Sequence, residues 1–123
     1  MALSDVSDLA RNEEGIAAAL GILKQRFGPH CQTGADIRRQ HAHTTTYIPN
    51  QPPDAVVFAG SSEDVQETVR ICAAHRVPVI PFGTGTSLEG HVNAPAGGIS
   101  LDLMRMDRVL QVNAEDLDCV VEP

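Results

Sequence analysis

Two short apolar runs, Ala55–Ala59 (AVVFA) and Val77–Ile80 (VPVI), flank an amphipathic stretch, and this restricts the fold more than any other pattern in the chain. Ser61 with Asp64 three residues later is a capping-box signal for a helix start. Val65, Val69 and Cys72 mark one face of that helix, which is expected to end near Arg76. Strand, helix and strand in this order make a β-α-β unit with parallel strands and a right-handed crossover. Pro78 has no backbone N–H, so the second run belongs at a sheet edge or a strand start. Farther along, Ile99–Leu103 (ISLDL) alternates as a strand. Val109–Val112 and Leu117–Val121 read as two more strands, joined by the turn NAED.

The stretch PFGTGTSLEGH, Pro81–His91, follows the second run. It has three glycines, two threonines, a serine and one acid, Glu89, with no lysine or arginine. Glycine permits positive φ and lets the backbone approach a ligand closely. Successive backbone N–H groups then form a nest that binds phosphate without a cationic side chain. Thr84, Thr86 and Ser87 add hydroxyl donors. A nucleotide pyrophosphate is a fitting guest; a connecting loop that needs glycine for its turns is the plainer alternative.

Motif spacing narrows this. A P-loop needs a lysine after its last glycine, and none follows here. The dinucleotide fingerprint needs a third glycine opening a helix. Gly83 and Gly85 supply the first pair, but Leu88 holds the third place. The continuation HVNAPAGGIS contains Pro95, Gly97 and Gly98 and cannot run as a helix. A phosphate held here is held by loop backbone.

Ahead of the β-α-β unit, Ile16, Leu20, Leu23 and Phe27 recur at helical spacing, and Gly28 with Pro29 stops that helix. Residues 29–53 show no periodicity and end in Pro49, Pro52 and Pro53; they read as an extended leader wrapping a surface. Aromatics make up 3% of the chain, so the core rests on Val, Ile, Leu and Ala. The net charge of −7 and the absence of a basic patch argue against nucleic-acid or anionic-membrane binding. No apolar run approaches the ~20 residues that span a bilayer. The start MALSDVSDLA carries acids where a signal peptide is basic, which makes cytoplasmic residence the expectation. Cys31, Cys72 and Cys119 are far apart and odd in number, as expected of reduced thiols.

PPDAVVFAGSSEDVQETVRICAAHRVPVIPFGTGTSLEGHV, followed by GGISLDLMRMDRVLQVNAEDLDCVVEP, resembles the FAD-binding domain of the FAD-linked oxidases of the vanillyl-alcohol oxidase/PCMH superfamily. The nearest resemblance is to the branch of D-lactate dehydrogenase (cytochrome) and the glycolate oxidase D-subunit. It covers residues 52–123 densely and residues 29–51 loosely, so residues 1–51 are taken as helix and leader and residues 52–123 as the first part of the domain.

The resemblance implies an α+β fold. A small parallel β-α-β subdomain would pack against the start of a second, mixed or antiparallel sheet. It implies that Pro81, Phe82, Gly83, Thr84, Gly85, Thr86, Ser87, Gly90 and His91 hold the FAD pyrophosphate, mainly through backbone N–H groups. Some relatives tether FAD to a histidine in this loop. Thr86 stands at that place, and threonine cannot make the bond, so FAD is expected to be non-covalent. The implied reaction is oxidation of a small 2-hydroxy acid to a 2-oxo acid, with electrons passing to cytochrome c, a quinone or a partner flavoprotein. Peripheral association with the inner membrane would suit such an acceptor. The resemblance assigns no catalytic or metal residue to this chain, and relatives read VEPG where the chain reaches Pro123. The expectation is a truncated domain, inactive alone; a non-catalytic FAD-fold remnant and another superfamily branch stay open.

Other candidates have plain readings. His41 and His43 form an H-x-H pair expected in a solvated loop. His75 complements a helix C-terminus. Asp102 reads as a polar strand residue, with a flavin-site role as the alternative, and His91 as either a phosphate contact or a structural hydrogen bond. MRMDR, from Met104 to Arg108, reads as a turn with surface charge. The NAEDLD acids lack calcium-loop spacing.

Overall fold

The fold was taken from a computed structural model, which describes residues 10–123. Asn12 starts α1 (Glu13–Phe27) by accepting the Gly15 N–H through Oδ1 at 3.0 Å. Glu13 and Glu14 lie in the first turn and Lys24 and Arg26 in the last, complementing the helix dipole. Gly28 ends the helix at φ 53, a left-handed conformation that side chains disfavour. Ile16, Ala19, Leu23 and Phe27 are buried, with Leu20 packed beside them.

The next elements are a one-turn 3-10 segment at Gly28–His30, β1 (Cys31–Gln32) and α2 (Ala35–Gln40). The sequence reading predicted none of the three. The 3-10 segment is a single turn, α2 is too short for a repeating apolar pattern, and β1 is two residues pairing antiparallel with its neighbour. The leader expectation describes residues 43–53, which have no helix or strand.

The β-α-β unit forms as expected, from β2 (Ala55–Phe58), α3 (Ser62–Ala74) and β3 (Val79–Phe82). β4 (Ile99–Asp102) lies between the two strands and parallel to both, giving the order β1-β2-β4-β3. β3 is therefore an edge strand, as Pro78 suggested. It begins two residues later than expected because Val77 still belongs to the helix exit: its N–H donates to Cys72 O at 2.9 Å. On α3, Ser61 caps through the Asp64 N–H at 3.2 Å. The expected Val69 is exposed, and the buried face carries Thr68 and Cys72. Thr68 tolerates burial because its hydroxyl donates to Asp64 O at 2.8 Å.

One sheet face carries Ala55, Val57, Ile99 and Leu101 against α1 and α3. Alternation sends Val56, Ser100 and Ile80, then Phe58, Asp102 and Phe82, to the opposite face. Asp54 aligns the strand starts. Its N–H donates to Gly98 O at 2.8 Å, and its Oδ2 accepts the Gly98 N–H at 2.7 Å. Arg11 holds Asp54 from the other side at 2.7 Å.

β5 (Val109–Asn113) and β6 (Asp118–Val121) form a separate antiparallel hairpin. Its apolar residues Val109, Leu110, Val112, Val120 and Val121 are exposed. Arg108 and Glu122 close its base at 2.7 Å, and the Arg108 hydrogen bond holds the Glu122 carboxyl below its ordinary range.

Candidate functional site

The three parallel strands end side by side, with Phe58, Asp102 and Phe82 in register. The glycine loop leaves the sheet at this carboxyl end, which is where open α/β sheets place ligands. Gly83 is exposed, and a Cβ built on it would meet nothing within 4 Å. Gly85 turns at φ 73, bringing its backbone over the Phe82 ring; a Cβ there would lie 2.7 Å from Phe82 Cζ. Among the described residues, no N–H from Gly83 to His91 donates to a backbone carbonyl. The loop therefore presents a run of free donors.

Side chains brace the loop from within. Thr84 and Thr86 hydroxyls lie 3.2 Å apart, and Ser87 Oγ lies 2.9 Å from His91 Nδ1. His91 thus makes the structural hydrogen bond that was one of its two expected roles. Gly90, at φ 76, packs against Thr46 and Ile48; its Cβ position is 3.2 Å from Thr46 Oγ1. Buried Asn93 joins loop and leader: its amide donates to Gly90 O at 3.1 Å, and its Oδ1 accepts the Gln51 N–H at 2.8 Å. Nothing in the spacing of Asn93 marked it beforehand. Beside the loop, a cleft of about 280 Å³ runs from Gly83 and Thr84 past Leu103, Met104 and Met106 to Glu122.

His41 is not in a solvated loop. It caps α2, lies buried on the far sheet face and places Nε2 2.7 Å from Asp102 Oδ2. Its Nδ1–H donates to Ile37 O at 2.8 Å, since a carbonyl only accepts. The Nε2···Oδ2 contact joins imidazole and carboxyl directly. Asp102 Oδ1 accepts the Met104 N–H at 2.8 Å. Asp102 is therefore a polar strand residue, as expected, buried with a hydrogen bond on each carboxylate oxygen. The H-x-H and SLDL stretches were both visible in the sequence, but only the topology joins them. His43 is exposed and stands apart. His75 caps α3, as expected.

The free loop amides thus lie at the carboxyl end of an α+β sheet, where the Arg105 guanidinium also stands, 4.9 Å over the Phe58 ring. Residues 53–123 match the family described as FAD binding domain, and the chain belongs to that family, a flavoprotein oxidoreductase family whose cofactor is FAD. The chain is 44% identical over 90 residues to "Probable D-lactate dehydrogenase, mitochondrial" of Danio rerio, covering 73% of this chain and 18% of that one. It is 45% identical over 71 residues to "D-lactate dehydrogenase [cytochrome], mitochondrial" of Arabidopsis thaliana, covering 58% and 12%. It thus spans under a fifth of the length of these two relatives. The structure of p-cresol methylhydroxylase with substrate bound superposes with a TM-score of 0.72 over 82% of this chain and 21% of that one, at 22% identity. The fold is accordingly of the expected PCMH type.

The residues present fit the cofactor. An open Gly83, a Gly85 with no room for a side chain and unpaired loop amides together suit close approach of a pyrophosphate. Among the described residues, no helix is long and apolar enough to cross a membrane.

Proposed function

We propose that the chain is the N-terminal FAD-binding portion of a dehydrogenase that oxidises a D-2-hydroxy acid of the lactate or glycolate type to its 2-oxo acid. The observation that carries the cofactor half is the run of free amides from Gly83 to His91 at the carboxyl end of three parallel strands. Likeness to D-lactate dehydrogenases supports the substrate half.

In this reading Pro81, Phe82, Gly83, Thr84, Gly85, Thr86, Ser87, Gly90 and His91 hold the pyrophosphate. Residues 52–123 carry the cofactor surface, and residues 1–51 are the helix and leader ahead of it. When bound, FAD would supply the acceptor for the hydride of the substrate carbon, which carries the two electrons of the oxidation. This chain's own work is to bind and orient. Gly83–Ser87 give amide donors to the phosphates, and Leu103, Met104 and Met106 wall the adjoining cleft. Thr86 offers no nucleophile that links to a flavin ring, so FAD is held without a covalent bond. The electrons leave to cytochrome c, a quinone or a partner flavoprotein, and residence is cytoplasmic, peripheral to the inner membrane.

The test is the protein expressed from its complete natural reading frame. With D-lactate, D-2-hydroxyglutarate or glycolate and an artificial electron acceptor, turnover and bleaching of the yellow flavin are expected with at least one acid. Failure with all three refutes the substrate assignment. Denaturation should release all the flavin; flavin mass retained on the chain refutes the non-covalent assignment. Cell fractionation checks residence, since both relatives carry mitochondrial names.

A further inference from the structure

We propose that the buried His41–Asp102 pair is a positioning element that sets the shape of the Gly83–Ser87 loop through the Phe82 ring, and so governs the grip on the FAD pyrophosphate. The inference rests on the reading of that loop as the cofactor cradle.

The pair stands where the loop begins. Asp102 is flanked in register by Phe58 and Phe82, the last residues of β2 and β3. The His41 ring covers both, edge-on to Phe58 at 5.8 Å and tilted over Phe82 at 4.3 Å. The side-chain polar contacts of the pair are all internal. His41 Nδ1–H is fixed by Ile37 O, Nε2 meets Asp102 Oδ2, Asp102 Oδ1 takes the Met104 N–H, and the His41 N–H returns to Ile37 O at 3.3 Å. The imidazole therefore cannot rotate without leaving a buried polar group unpartnered.

Phe82 carries this rigidity onward. One part of its ring meets His41, and its Cζ lies beneath Gly85, 2.7 Å from where a Cβ would stand. Phe82 O accepts the Leu103 N–H at 2.9 Å, locking the strand exit. The loop above has no backbone hydrogen bond from its own amides, so packing on Phe82 and Gly90 gives it shape. Residues 41–51 thus back the loop, although they precede the residues matched by the family.

The test uses the holoprotein, with FAD affinity and the phosphorus NMR resonances of the bound pyrophosphate as readouts. His41→Ala and Asp102→Ala should each weaken FAD by roughly tenfold or more and shift those resonances. His41→Gln, which returns a donor toward Asp102, should recover part of both. Leu23→Ala removes packing from the opposite sheet face, so it should lower the melting temperature while leaving the resonances in place. If folded His41→Ala loses only stability, with affinity and resonances as in the unsubstituted protein, the pair is merely structural and the inference is wrong. If His41→Ala does not fold, Phe82→Leu decides. It keeps the pair and removes the ring that links it to Gly85, so unchanged resonances overturn the inference. If the unsubstituted protein holds no FAD, the cradle reading falls and this inference falls with it. If it holds FAD and the variants match it, only this inference falls.

Discussion

Gly85→Ala is the sharpest perturbation of the loop, because two separate costs are visible at one position. The backbone sits at φ 73, where a non-glycine residue loses about 1–2 kcal/mol. The added methyl would also lie 2.7 Å from Phe82 Cζ and 3.0 Å from Cε2. The ring cannot simply swing aside, because Phe82 is buried and His41 packs against it at 4.3 Å. Forcing extra volume into such a place costs about 1–3 kcal/mol. Together these predict a loss of roughly 2–5 kcal/mol, a large part of the ~5–15 kcal/mol that holds a domain folded. Urea unfolding measures it as a fall in midpoint at unchanged slope. Repeating the substitution in a Phe82→Ala background separates the parts: without the ring, only the backbone cost of about 1–2 kcal/mol should remain. A loss below about 0.5 kcal/mol, or an equal loss in both backgrounds, refutes the account of Gly85 as a glycine required by the Phe82 ring.

Gly83→Ala should behave oppositely. Its site is open and its φ lies outside the left-handed region, so the melting temperature should hold or rise slightly while FAD binding weakens; unchanged binding, measured by flavin fluorescence titration, argues against the cradle. Asn12→Ala should cost about 2 kcal/mol in urea unfolding. It removes the α1 cap together with donation to His75 O at 2.9 Å and Arg76 O at 3.3 Å, whereas Asn12→Asp should recover only the cap. Cys119 is exposed and should react with a thiol reagent in the folded protein, with Cys31 and Cys72 reacting only on unfolding. Burial pushes the Cys72 thiol up from about 9 to about 11, so the unfolded chain loses that proton first. The stability contribution is therefore full below pH 9 and should drain away as pH rises toward 11. Cys72→Ala should flatten that alkaline slope in pH-dependent unfolding, whatever it costs at neutral pH.

The sequence disclosed what short-range chemistry writes into it. The Ser61 cap, the Gly28 stop and the edge position of the Pro78 strand each follow from one or two residues and their immediate neighbours, and each stands in the structure. The glycine loop was legible for the same reason: backbone freedom is a local property. What escaped depends on distant pairing. β1 exists because β2 offers an edge, and β4 enters between β2 and β3 from a position beyond the loop. Val69 sits at helical spacing yet faces solvent, because Thr68 satisfies its hydroxyl within α3 and takes the inward place. His41 looked solvated because the carboxylate that partners it lies 61 positions away.

Under the proposed function, these long-range contacts explain how a loop with so few internal bonds would serve as a binding surface. A nest of amides binds an anion only if the amides stay unpaired and still point the same way, and those two demands conflict. Pairing the amides with the protein's own carbonyls would fix the loop and fill the site. Leaving them free removes what normally fixes a backbone. The fold resolves this by holding the loop from beneath. Phe82 supports Gly85, Thr46 and Ile48 support Gly90, and Asn93 ties Gly90 to Gln51. Glycine is needed at both contact points because the backbone itself must lie on the supporting side chains. The proposed cradle would also account for the absence of lysine and arginine from Pro81–His91. A long cationic side chain could reach a phosphate from a poorly fixed loop, whereas backbone amides reach it only from a loop whose supports are in place.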